Sequence, residues 1–165
     1  MSKNINTDSI GVWRTFLETW KVWKRGVERN LQTIGLGSTE YSILRHLSEE
    51  GKMPMAQMAN LIMVTPGWIT GLIDAMEKNG LVNRVRNTED RRIIDLVITE
   101  AGTDLFKRAK SLHTEYIAKS LGGMDPESLS KLKVLLDDLR DSIVETCSVK
   151  KEETAGSTRP VQDSD

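Results

Sequence analysis

Near the middle of the chain the spacing of apolar residues changes from a period of about 3.6 to a period of about 2, a switch from helix to strand within very little chain. Upstream, "GWITGLIDAMEKN" puts Ile69, Leu72, Ile73 and Met76 on one side of a helix, and Gly80 stands where a left-handed residue would end it. Downstream, "LVNRVR" and "IIDLVI" are short and rich in β-branched residues, with the polar turn "NTEDRR" between them. Ile94, Leu96 and Ile98 share one face of the second strand, and Asp95 points away from them. Ahead of this helix "MPMAQMANLI" reads as a short helix with Met55, Met58, Ala59 and Ile62 inward, and "MVT" as a tight turn. Thr65 and Pro66 supply a side-chain cap and a proline at the first helical position. Two short helices joined by a tight turn, then a hairpin, make a winged helix-turn-helix.

Helices flank this centre on both sides. Ile10, Trp13, Leu17, Trp20, Val27, Leu31 and Ile34 recur along residues 8–34 as one helical face requires, until "GLGS" breaks the pattern. Ser38 is read as the cap of a second helix carrying Tyr41, Leu44 and Leu47, and Gly51 as its end. After the hairpin, Thr99 caps a helix with Leu105, Ala109, Leu112 and Tyr116 inward. "GGMDP" interrupts, and Asp125 and Pro126 start a last helix whose seam is Leu129, Leu132, Leu136, Leu139 and Ile143. From about Ser148 the text turns polar, ending "KKEETAGSTRPVQDSD". The expected fold class is mainly α with a small β-hairpin wing. Residues 1–147 form a single domain, with the winged helix-turn-helix over about 36–98, helices 8–34 and 99–147 around it, and a disordered polar tail over 148–165.

Composition narrows the function classes. A chain of 165 residues, 38% apolar and 28% charged, suits one globular domain. It has no apolar run near the roughly 20 residues a membrane span needs, and "MSKNINTDSI" lacks the apolar core of a secretion signal, so an intracellular, cytoplasmic protein is expected. Cys147 is the single cysteine and is read as an inert thiol rather than a sensor. His46 and His113, even joined by Glu28, make a poor zinc set, so no metal is expected. There is no glycine-rich phosphate loop, Ser-His-Asp set or dense acid cluster, which argues against an enzyme and against a cofactor.

A net charge of -1 excludes a general polycation but not a local basic patch. Arg84, Arg86, Arg91 and Arg92 place four positive charges in nine residues of the hairpin, offset in part by Glu89 and Asp90. Such a tip can reach a phosphate backbone or a narrow minor groove, where negative potential concentrates. The plainer reading is a solvated ribbon whose charges discourage edge pairing. In a helix-turn-helix the second helix enters the major groove by its first turns, here Thr65, Gly67, Trp68, Thr70, Gly71 and Asp74. With no Lys or Arg in those turns, thymine methyls and groove shape are the expected targets rather than guanine. A winged helix that binds protein instead of double-stranded DNA is the alternative.

"GLVNRVRNTEDRRIIDLVITEAG" resembles the wing signature of MarR-type transcriptional regulators. Gly80-Leu81-Val82, Arg84, Asp90-Arg91-Arg92 and Thr99-Glu100-Ala101-Gly102 match in order and spacing, with Ile98 in place of the usual leucine. The likeness spans roughly residues 8–147. It implies a homodimer built from the first helix and the last two, and a repressor of a pseudo-palindromic operator. It also implies Arg92 as the minor-groove residue with Asp90 steadying it, and Arg91 near phosphate. Relatives often carry an arginine or another polar side chain where Gly71 stands, and the first-helix cysteine of oxidation sensors is missing. Many relatives are released by aromatic or phenolic ligands in the cleft beside the dimerisation helices. Trp13, Trp20 and Trp23 would wall such a pocket and Arg14 would meet a carboxylate; the competing reading of this stripe is plain core. Burial inside one subunit is likewise the competing reading of the two apolar seams.

Overall fold

In the computed structural model, which describes residues 7–155, the elements run α1 (Thr7–Gln32), α2 (Ser38–Glu50), β1 (Met53–Pro54), α3 (Met55–Leu61), α4 (Pro66–Lys78), β2 (Val82–Arg86), β3 (Ile94–Ile98), α5 (Glu100–Leu121) and α6 (Pro126–Ala155). The chain forms two compact units, one up to Ala118 and one from Lys119. In the first, three antiparallel strands lie in the order β1-β3-β2, with Leu96 opposite both Met53 and Arg84. Strand β1 departs from the sequence reading, which gave Met53 and Pro54 to the following helix. Two residues show no period, and Pro54 is tolerated because an edge strand can do without its N–H.

The core of this unit gathers Leu31, Ile43, Leu44, Leu47, Met58, Ile69, Ile73, Met76, Val82, Leu96 and Phe106, all buried. The inward faces expected of α3 and α4 pack here, as do Leu96 and Ile98 of β3 but not Ile94, and α5 adds Phe106, which the spacing does not mark. Thr99 ties α5 to the end of α4: its Oγ1 donates to Gly80 O (2.6 Å) and accepts from Gly102 N (3.0 Å). Gly102 closes the same joint, because a Cβ there would collide with the Leu81 carbonyl. Gly80 has φ 69°, the left-handed value a side chain would resist. These contacts explain why that stretch reads Gly-Leu-Val and, later, Thr-x-x-Gly.

At the other end of α2 the cap is Gly37, not Ser38. Gly37 N donates to Glu40 Oε2 (2.6 Å), while Ser38 N donates across to Glu28 Oε2 of α1 (3.0 Å). Hydrogen bonds from Ser38 hold the Glu28 carboxyl below its ordinary pKa. Ser38 therefore lies one position inside the helix and serves the α1–α2 corner. Farther along α1, Gly26 lets the helix approach α5, where a Cβ would meet the Tyr116 phenol.

The second unit is dominated by α6. Asp125 Oδ1 accepts the N–H groups of Glu127 and Ser128, both at 3.0 Å, and Pro126 occupies the first turn as expected. None of the apolar side chains described on α6 is buried; Leu135 is 65% exposed and Ile143 46%. The helix runs past residue 147 to Ala155, through lysines and glutamates that favour it. The remainder of the expected tail lies outside the described residues. No described helix is long and apolar enough to cross a membrane.

Candidate nucleic-acid interface

Helix α4 starts as its sequence dictates. Thr65 Oγ1 accepts from Trp68 N (3.3 Å), Pro66 fills the first position, and Ile69, Ile73 and Met76 bury the inner side. The outer side is left to Gly67, Trp68, Thr70, Gly71 and Asp74, all exposed. A Cβ on Gly67 or Gly71 would meet nothing within 4 Å, so this flank is smooth and open. The Thr70 hydroxyl donates to Pro66 O (2.9 Å) on the exposed flank of the helix. Before the helix, Met63 takes a left-handed conformation (φ 54°) that leaves its side chain in solvent beside the α4 N-terminus.

The hairpin arginines divide into two kinds. Arg84 turns inward: its guanidinium bonds Asp74 (2.6 Å), Glu77 (2.8 Å) and the Thr70 carbonyl (3.1 Å). It was expected to face a partner with Asp74, yet the two neutralise each other and brace β2 against α4. The Arg84 side chain meets acids seven and ten residues back and a carbonyl fourteen residues back, pairings no local pattern shows. Arg86 and Arg91 are exposed, with no ion pair among the described residues. Arg92 projects from the tip, its side chain 91% exposed, with Nε 3.1 Å from Asp90 Oδ1 and Nη2 3.0 Å from Asp90 Oδ2. The Arg92 hydrogen bonds hold the Asp90 carboxyl below its ordinary pKa, and Asp90 raises that of Arg92. Asp90 thus aims the guanidinium without hiding it.

Two participants escaped the sequence reading. Asn87 accepts the N–H groups of Glu89 (2.9 Å) and Asp90 (3.1 Å) and shapes the turn. Asp95 does lie on the strand face away from Leu96, but it is buried there. An acid flanked by Ile94 and Leu96 in an alternating strand was the available signal.

The geometry is that of a helix with an exposed flank and a charged ribbon held against it through Arg84. Residues 36–94 match the family model described as MarR family. The HTH-type transcriptional regulator YpoP of Bacillus subtilis is 35% identical over 104 residues, spanning 63% of this chain and 74% of that protein. The chain belongs to the MarR family. It is a DNA-binding transcriptional regulator of the helix-turn-helix type, not an enzyme. The crystal structure of AbsC, a MarR-family transcriptional regulator of Streptomyces coelicolor, superposes with a TM-score of 0.75 at 28% identity, covering 87% of this chain and 99% of that one. A mutant MarR from E. coli, solved complexed with operator DNA, shares the fold at 15% identity and a TM-score of 0.71 over 83% and 99% of the chains.

The α1 tryptophans are less enclosed than a pocket wall. Trp13 (52%) and Trp20 (51%) face solvent, as does Arg14, and Trp13 stacks only on Phe16 with ring centres 6.2 Å apart. Trp23 is half-buried, and among the described residues its Nε1 is a buried polar atom without a partner, as are Asn30 Oδ1 of α1 and His113 Nδ1 of α5. Burial holds the His113 imidazole below its ordinary pKa, against the Tyr41 ring 5.0 Å away. His46 bonds Arg45 and Glu50 along α2. Among the described residues no three His, Cys, Asp or Glu side chains converge on a metal position. Cys147 lies on α6, and its side chain falls outside those described.

Proposed function

We propose that this MarR-family chain is a homodimeric repressor of a pseudo-palindromic operator, with residues 1–147 acting as one domain in the cytoplasm. The observation that carries the reading is Arg92: a guanidinium almost wholly in solvent, oriented by one carboxylate, at the tip of a ribbon beside the recognition helix. A purely structural arginine would be drawn in among acids and half-buried, as Arg84 is. Thr65, Gly67, Trp68, Thr70 and Gly71 would face the major groove, where the two glycines let the helix press close and the Thr70 methyl and Trp68 suit thymine methyls. Arg92 and Asp90 would serve the minor groove, Arg86 and Arg91 the phosphates, with Arg84 and Asp74 bracing helix to wing.

Pairing is supported by what each unit leaves uncovered, Trp13 and Trp20 on α1 and Leu135 and Ile143 on α6. Two-fold pairing sets recognition helices about one DNA turn apart. A dimer lying across a promoter then represses by occupying it. Release by a small aromatic or phenolic effector is supported by Trp23, Asn30 and His113, whose buried polar atoms a ligand could satisfy. Such a ligand acts only through differential affinity for the two states.

The test is binding to duplex DNA from the region upstream of the protein's own gene, with and without phenolic acids. Arg92→Ala should weaken binding across sequences and flatten the salt slope by about one unit. Thr70→Ala should act on particular base pairs. Unchanged binding by both variants would overturn the residue roles.

A further inference from the structure

One charge sits in the sheet where an apolar residue would pack better. Asp95 lies in the central strand β3, between Pro54 of β1 and Val85 of β2, and is 1% exposed. A carboxylate taken out of water is costly unless its oxygens find partners. Its Oδ2 has two, Asn87 Nδ2 at 2.8 Å and Lys52 Nζ at 3.8 Å. Its Oδ1 has none among the described residues. Valine or threonine would fill a strand position of this kind with no such cost.

What the acid does appears one link away. Asn87 stands just beyond the end of β2. With its Nδ2 committed to Asp95, the amide can face only one way, and Oδ1 is turned toward the wing. There it accepts the N–H groups of Glu89 and Asp90. Asn87 N donates to Ile93 O (3.0 Å) and Ile93 N to Asp90 O (2.9 Å), which closes the turn. The Asp90 carboxylate then accepts Arg92 N (2.9 Å) and holds the guanidinium. A continuous run of hydrogen bonds therefore leads from a buried carboxylate to an exposed arginine. Without Asp95, only the two N–H groups of the wing turn itself would hold the Asn87 amide, and nothing would tie that amide to the sheet.

We propose that Asp95 and Asn87 are positioning residues for DNA binding: the buried carboxylate orients the Asn87 amide, the amide sets the wing turn, and the turn aims Arg92. A pre-set arginine loses less conformational freedom on docking, so the cost of burying Asp95 returns as affinity. The inference rests on the assignment of Arg92 to DNA, and the experiment separates the two.

The probe is a duplex selected from a random-sequence library on the wild-type full-length chain. Asn87→Ala cuts the run outside the sheet. The same cut made together with Asp95→Asn leaves no buried carboxylate short of its partner, so a folded variant is available even if Asp95→Ala does not fold. Each should weaken that duplex about fivefold, the worth of one hydrogen bond, and change affinity by less than about twofold in an Arg92→Ala background. Asp95→Asn keeps an oxygen for Asn87 Nδ2 and should restore binding. In the absence of DNA, hydrogen exchange at the Glu89 and Asp90 amides should accelerate in Asn87→Ala and stay slow in Asp95→Asn. Equal losses with and without Arg92, or unchanged amide exchange, overturn the proposal while leaving the wing's role intact. A wild-type chain that selects no duplex overturns the wing's role itself and the affinity half of this proposal; amide exchange still decides the ordering half.

Discussion

The winged centre and the chain's two end helices carry similar amounts of apolar side chain and treat it in opposite ways. Around α2, α3, α4 and the hairpin, Leu44, Met58, Ile73, Met76 and Leu96 are fully enclosed. On α1 only Leu31 is enclosed, and on the described part of α6 no apolar residue is. Both helices nonetheless show the spacing of a buried face. A helix patterned for burial and left exposed is a face that the proposed pairing would cover. On that reading the centre is a finished fold, and the ends are half of one.

Substitutions can break that contrast. The largest effect is expected at Ile73→Ala, which leaves a cavity in the finished core and should cost about 2–5 kcal/mol in denaturant unfolding. Gly102→Ala should follow at roughly 2 kcal/mol, because the new Cβ meets the Leu81 carbonyl rather than a movable side chain; a gain in stability from the better helix former would refute the tight joint. Leu136→Glu should leave the unfolding of a single chain within about 0.5 kcal/mol of wild type, as a surface change does. In sedimentation the same variant should weaken self-association at least about tenfold, since it puts a charge into the proposed seam. If it unfolds the chain instead, the contrast between centre and ends fails.

The smallest effect concerns His113, where α5 meets α2. Burial lowers its pKa, so the folded state prefers the neutral ring. Its contribution to stability is complete above about pH 6.5, the ordinary histidine value, and is lost as pH falls through the lowered one. Denaturation midpoints at pH 7.5 and 5.5 should therefore drop more for wild type than for His113→Gln. An equal drop would place the pH response elsewhere.

Much of this architecture was legible in the residues. The Thr65-Pro66 start of α4, the Gly80 stop, the strands at 82–86 and 94–98 and the Asp125-Pro126 start of α6 all follow from capping and periodicity, which act within a few residues. That Trp68, Thr70, Gly71, Arg91 and Arg92 lie exposed on the candidate interface was legible for the same reason. Strand β1 was not, because two residues have no period, and its pairing depends on β3 some forty residues later. Ser38 was misplaced by one position since Gly37 and Glu40 share the cap between them.

Arg84, Asp74, Asn87 and Asp95 mark the limit most clearly. Their residue types said only that they were polar and lay near the hairpin. Whether an arginine faces a partner or braces a helix depends on which acids the folded chain carries to it, and whether an acid in a strand is wet or buried depends on what closes over it. Local order comes from short-range hydrogen bonds and the rhythm of apolar side chains, and these are written in the residue order. The allotment of charges between the inside and the outside is an outcome of long-range packing, and only the assembled structure decided it.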